Sequence, residues 1–448
     1  MLLSLKRLIL FDTRVAFILA SRVWLMVGGG ITVLLVPSYL SAEQQGYYYA
    51  FNSLIAIQVF VDLGLNSILM QYSARVVGQH LKDTDALLEA PAARQHLSDL
   101  LSIGRRWATA SSILLFAIVS FSGWIFFKDH GTLDGSQWII PWLVLSGATS
   151  LSVYAGPLLA IAEGSGHITN IARLRLALSM IGYLVFWLLL VNHFGLAACV
   201  SLAVVNAAGC LIWVCWYSRT TTLPEHSLEA PRSEQETPLR LSWRGDILPL
   251  QWRTGLSWIG GYFFFYFMTP IVFTSQGPSA AGKLGLALTM FSAASTVSMS
   301  WIYAALPEMS GKFVRKEFPK LRAKYDTLIK VSAATLLTLI CIILLFVVSI
   351  GFFFPKIPER IPSFATMCLL AVATMGNFII FCRASYIRLH AEEPLVLQSL
   401  VSAALLTGGI VVASHYGLEA VSAVYAVLTI CVPLPWITLI YRSYRERY

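Results

Sequence analysis

The chain has 448 residues, 57% hydrophobic and only 12% charged, with a formal net charge of +9 and a mean hydropathy of +0.70. Soluble domains carry about twice that share of charge, so most of this surface does not face water and the chain reads as an all-α polytopic membrane protein. The positive charge does not point to nucleic acid, because no aromatic-interleaved basic module accompanies it.

Taken in chain order, "MLLSLKRLILFDTRV" has a basic start but only a four-residue apolar run after Arg7 and no small-residue cleavage site. It reads as a short helix on the cytoplasmic surface. Twelve transmembrane helices follow, at 15–39, 46–70, 107–127, 139–162, 176–193, 195–217, 254–275, 284–305, 331–354, 362–382, 395–415 and 418–440. Runs such as "LLTLICIILLFVVSIGFFF" do not alternate polar with apolar residues, which excludes barrel strands.

Span 1, "ILASRVWLMVGGGITVLLVP", places Arg22 among apolar residues, and span 2 places Asp62. Each costs about 2.5–3.5 kcal/mol at mid-helix, so each is expected to face a partner or a water-filled space. Counted from Arg14 and from Gln71, both lie about 12–14 Å from the inner surface. The antiparallel helices can bring them together. Three readings of Arg22 stand side by side: snorkelling to the inner surface, a structural pair with Asp62, or a cavity-lining cation that grips phosphate oxygens bidentately. Asp62 is also a candidate H+ or Na+ coupling site. Gln58, Asp62 and Asn66 recur at i, i+4 and i+8, which predicts one polar helix face.

The stretch "RTTTLPEHSLEAPRSEQETPLRLSWRGD" is rich in Pro, Ser, Thr and charge and reads as a cytoplasmic linker. It divides the chain into an N-terminal lobe (1–217), the linker (218–252) and a C-terminal lobe (253–448), with six spans in each lobe. A shift of 236 residues lays "LSWIGGYFFFYF" on "ASRVWLMVGGGI" and Gly282 on Gly46, a faint internal repeat. In span 7, "YFFFYF" (262–267) lies too deep for an interfacial aromatic belt; packing, sugar stacking and contact with a lipid tail are its readings. In span 8, Thr289, Ser292, Thr296 and Ser300 form a hydroxyl stripe at helical spacing. It suits either a hydrated cavity or close helix packing. The seven cysteines all fall in spans and no CxxC occurs, so neither a disulfide framework nor a metal site is expected.

Of the 32 Lys and Arg, only Lys128, Lys283, Lys356 and Arg360 fall in the loops of one side. Apart from Arg22, the remainder lie on the other side, which the positive-inside rule makes cytoplasmic together with both termini. That basic face attracts anionic membrane lipids. The outer loops are short, the longest being "KDHGTLDGSQW", and no GxxxxGK[ST], HExxH or GxSxG is present. An enzyme is therefore not expected, and no cofactor is expected.

The stretch "LVPSYLSAEQQGYYYAFNSLIAIQVFVDLGLNSILMQYSAR" (35–75) and the sequence "YAALPEMSGKF" closing span 8 resemble Wzx-type polysaccharide flippases. These belong to the MOP superfamily, with the MATE exporters and the lipid II flippase. The resemblance implies a V-shaped, two-lobed transporter of the bacterial inner membrane. It also implies a cavity lined largely by spans 1, 2, 7 and 8, and a substrate such as an undecaprenyl-pyrophosphate-linked O-antigen repeat unit. On that reading the substrate-binding candidates are Arg22, Gln58, Asn66, Thr289, Ser292 and Thr296, with Asp62 as coupling or ion-pair residue. Other membrane proteins of polysaccharide assembly are candidate partners. Two alternatives stay open: a cation-coupled multidrug exporter of the same fold, and a polymerase or ligase of polysaccharide assembly, against which the short outer loops argue.

Overall fold

The computed structural model describes residues 13–62, 64–80, 91–221, 255–256, 260–353, 357–389 and 394–447. Among these the chain is helical throughout and contains no strand. The predicted surface helix before Thr13 and nearly all of the linker lie outside the described residues. In chain order the helices are α1 (Thr13–Tyr39), α2 (Ala42–Ile55), α3 (Val59–Asp62), α4 (Leu65–His80), α5 (Pro91–His130), α6 (Gly135–Ala162), α7 (Ile168–Val191) and α8 (Leu196–Thr221). They continue with α9 (Met268–Gln276), α10 (Pro278–Val314), α11 (Phe318–Phe353), α12 (Phe364–Arg388), α13 (Val396–Ala413), α14 (Leu418–Cys431) and α15 (Pro433–Arg447). Eight stretches are long and apolar enough to cross a membrane, and a bent pair makes a ninth.

The helix ends follow from local chemistry. Ser41 caps α2 through Gln44 N–H, and the Gln44 side chain returns the bond to Ser41 N–H, a complete capping box. Gly277, at φ 87, turns the chain so that Pro278 opens α10, where a missing N–H costs nothing. Ser363 caps α12 through Thr366 N–H.

Two expectations need correction. Span 2 is not one helix: it breaks at the 3-10 turn Ala56–Gln58 and again before Gly64, whose φ of 76 suits glycine, and its halves meet at 46°. The last span stays one apolar stretch, Leu418–Arg447, with a one-residue interruption at Val432 where Pro433 supplies no N–H. Spans 3, 8 and 9 run on well beyond their apolar cores, as α5, α10 and α11; the extensions of α5 and α11 are rich in good helix formers, whereas that of α10 carries the helix through Pro307 and Gly311.

The chain forms two compact units. The first comprises Met1–Gly28, Ile57–Ile125 and Ser136–Gly255. Its core holds Leu65, Leu69, Leu100 and Ile161 in one cluster, and Ala155, Ile171 and Cys210 in another. The second unit comprises Gly29–Ala56, Phe126–Gly135 and Leu256–Tyr448, so the turn end of the first helical hairpin packs with the C-terminal helices. There Tyr47, fully buried, stacks on Phe127 at 5.2 Å and meets Phe273 edge-on. Elsewhere in this unit Met309, Leu321, Tyr325, Tyr386 and Ile437 form a core, and Tyr325 donates to Cys382 O at 2.7 Å.

Candidate functional site

In the first unit, Arg22 lies on the backbone of α1, but its side chain is outside the described part of the structure, so its pairing with Asp62 stays an expectation. Its neighbour Trp24 packs against Tyr183 (6.5 Å) and Trp187 (6.1 Å) of α7. Gly28 brings α1 close to the same tyrosine: a Cβ there would stand 2.9 Å from the Tyr183 ring. Position 22, two residues before Trp24, falls about 160° round the helix from that packed face.

Asp62 ends α3, and its carboxylate accepts the backbone N–H of Asn66. That bond satisfies one of the free N–H groups in the first turn of α4. Asn66 itself turns to α6, where a Cβ on Gly156 would lie 3.0 Å from its Nδ2. Its Oδ1 is buried without a partner. Farther along α4, Ser73 donates to Ile161 O at 2.8 Å. The predicted single face of Gln58, Asp62 and Asn66 is therefore not formed. The interruptions at 56–58 and Gly64 break the register on which a spacing of four depends.

In the second unit the hydroxyl stripe of α10 is intact. Thr289, Ser292, Thr296 and Ser300 are all exposed, while Met290, Phe291, Ala294 and Ser298 between them are buried. Ser292 stands midway along the apolar stretch Pro278–Leu306. Thr289 and Thr296 donate to carbonyls four residues back, Gly285 O at 2.8 Å and Ser292 O at 2.9 Å, which leaves their oxygens free to accept.

Several polar residues escaped the sequence reading. Gln45, 1% exposed, donates to Gly282 O at 2.9 Å and to Arg360 O at 3.3 Å, linking α2 to α10 and to the outer turn Pro358–Arg360. Arg383 is a second such residue. It lies inside α12, donates to Thr438 Oγ1 and sits 5.8 Å from the Tyr441 ring centroid. Asn377, 6% exposed, donates to Tyr425 OH at 2.8 Å. No sequence signal marks these residues, whose partners all come from distant parts of the chain.

No family model matches the sequence, and no curated protein is similar to it in sequence. Solved structures do share its fold. An inward-facing multidrug resistance MATE family transporter of the MOP superfamily superposes with a TM-score of 0.65 at 14% identity, over 97% of this chain and 98% of that one. The lipid II flippase MurJ, in an inward closed conformation, gives 0.65 at 12% identity over 96% of this chain and 87% of that one. A MOP superfamily transporter from Pyrococcus furiosus, described for the reversed polarity of its binding pocket, gives 0.55 at 14% identity over 96% of both chains. Apolar helices and superposition together give a multi-pass membrane protein with the fold shared by MATE transporters and the lipid II flippase MurJ.

Proposed function

We propose that this protein is a flippase that carries an undecaprenyl-pyrophosphate-linked oligosaccharide, such as an O-antigen repeat unit, from the inner to the outer leaflet by alternating access. The observation that carries this reading is the exposed hydroxyl stripe of α10 at Thr289, Ser292 and Thr296, midway along an apolar helix. Hydroxyls there gain most when they face water or a hydroxylated cargo, and sugar supplies both donors and acceptors. Arg22 supplies the complementary charge: a guanidinium holds phosphate oxygens bidentately and stays ionised. Asp62 competes for that guanidinium when cargo leaves, and Gln58 and Asn66 extend the polar lining. The fold shared with the lipid II flippase supports the reading.

The test is genetic and chemical. Deleting the gene should leave lipid-linked repeat units accumulated on the inner leaflet. Wild-type protein should restore them to the outer leaflet, Arg22→Ala should not, and Arg22→Lys should do so in part. Full rescue by Arg22→Ala removes Arg22 from the mechanism.

A second reading, a cation-coupled multidrug exporter, is favoured by the likeness to MATE family transporters. It predicts that deletion raises drug sensitivity and leaves lipid-linked sugars unchanged.

A further inference from the structure

Arg383 of α12 forms no ion pair among the described residues. Its Nη1 donates to Thr438 of α15, whose own hydroxyl donates to Leu434 O, and its guanidinium carbon lies 5.8 Å from the Tyr441 ring centroid. These contacts hold the group in place. They leave Nε–H and Nη2–H, the edge that takes two oxygens of one oxyanion side by side, without a hydrogen-bond partner among the described residues. The edge is also open. The arginine nitrogens buried without a partner among the described residues are Arg322 Nε and Arg360 Nη1, and neither belongs to this side chain.

Arg442 follows Thr438 by one helical turn on α15, so it stands on the same side of that helix, near enough to Arg383 for the two cations to repel. It is exposed and, among the described residues, bonded to no carboxylate. Glu446, one turn farther on, forms no ion pair with it, and Arg445 is taken by Asp326. Two like charges held side by side call for an anion between them.

The position narrows the anion. Arg383 lies five residues, about 7–8 Å, before α12 ends at Arg388, and Arg442 lies five residues before α15 ends at Arg447. The two ends adjoin, since Tyr386 and Tyr441 share one core with ring centroids 5.3 Å apart. Both guanidinium groups thus stand where an apolar helix pair gives way to its charged end, the level of headgroups in a bilayer. On α15 the exposed face runs through Pro435, Leu439 (65% exposed) and Arg442 at helical spacing. It offers hydrocarbon first and positive charge last, the order of an acyl chain and its phosphate. A metal cation is repelled here, and a neutral ligand leaves both charges unmatched. A water-soluble anion gains nothing from Leu439.

We infer that Arg383 and Arg442 form a binding site for the phosphate of an anionic phospholipid of the surrounding bilayer, a site independent of what the protein carries. The probe is phosphatidylglycerol, titrated into purified, delipidated full-length protein in an uncharged detergent. Phosphatidylcholine, inorganic phosphate and pyrophosphate are titrated separately. Thermal melts read the result, because a ligand that binds only the folded state raises the midpoint. Phosphatidylglycerol should raise it saturably, and the other three should not. Arg442→Gln, a change at an exposed position, should need at least about tenfold more lipid for half the shift. Arg447→Gln removes the same charge from the same helix end and should respond as wild type does. Arg383→Lys, which keeps a charge but loses the two-pronged edge, should fall between them. An equal response to phosphatidylcholine overturns the inference, as does an unchanged response in Arg442→Gln. Equal losses in Arg442→Gln and Arg447→Gln overturn it in favour of general surface attraction. A full response to inorganic phosphate or pyrophosphate overturns it in favour of a free anion or of a pyrophosphate-bearing cargo.

Discussion

Gly46 and Gly282 meet where α2 crosses α10: a Cβ on Gly282 would stand 2.8 Å from Gly46 N, and one on Gly46 would stand 2.0 Å from Pro278 O. The shift of 236 residues that relates the two halves of the sequence pairs these same two glycines. Small residues at such a crossing let backbones approach, and in a membrane that approach is itself a source of helix association. Gln45 then adds its bond to Gly282 O. Gly46→Ala should cost about 1–3 kcal/mol, because the obstructing atom is backbone and cannot swing aside. Gly408→Ala on α13, where a Cβ meets nothing within 4 Å, should be neutral or stabilising. Thermal melts of the two variants in the same detergent test the contrast.

What could be read from the sequence follows from how local each feature is. The α10 stripe was legible because Thr289, Ser292 and Thr296 lie on one uninterrupted helix, where spacing maps directly onto a face. The same arithmetic failed for Gln58, Asp62 and Asn66 because Gly64 takes φ 76 between the last two. A glycine in an apolar run does not announce its φ. Arg383 was missed because hydropathy ends a span at the last apolar residue. The helix instead continues to Arg388, and the charge is accommodated by Thr438, 55 residues away. Gln45 reads as an ordinary polar residue near a helix start until Gly282 O, 237 residues on, is seen to accept from it.

The C-terminal helix is fastened at two places of different kind. Ile437 and Tyr441 are buried in the inner core. Arg445 grips Asp326 of α11 through two bonds, at 2.5 and 2.9 Å. Both side chains are more than a third exposed, so solvent screening limits the pair to about 1 kcal/mol. Asp326→Asn should therefore shift the melting midpoint by less than about 3 °C. Amide exchange in the last turn of α15 should nevertheless quicken several-fold, while the amides around Ile437 stay protected.

Glu308 joins two helices. Its carboxylate takes Lys312 of α10 at 2.6 Å and Lys324 of α11. The hydrogen bonds from these lysines lower its pKa from 4.5 to about 2. A lowered acid pKa contributes stability above the unfolded value that is lost as pH falls through the folded one, here between about 4.5 and about 2. The side chain is 49% exposed, so its contribution at neutral pH is at most about 1 kcal/mol. Glu308→Gln should leave melting at pH 7 nearly unchanged and flatten the acid limb of the stability profile. An acid limb identical to wild type would show that the lysines do not hold the carboxylate in solution.

Exposure in a membrane protein means contact with lipid or with water, and the α10 stripe allows the two to be separated. A thiol reacts with a membrane-impermeant maleimide only where water ionises it. In a background freed of the seven native cysteines, Thr289→Cys, Ser292→Cys and Thr296→Cys should be modified in membranes, with the inner face accessible to the reagent. Ser298→Cys, on the same helix but fully buried, should stay unmodified. Leu345→Cys supplies the decisive comparison, because Leu345 is 67% exposed within the apolar run 336–353 of α11 and should face hydrocarbon. Modification of the stripe without Leu345→Cys establishes a water-filled space along α10 that reaches the middle of its apolar stretch. Equal silence at Ser292→Cys and Leu345→Cys would place the stripe against lipid tails, and the hydroxyls would then satisfy only their own backbone.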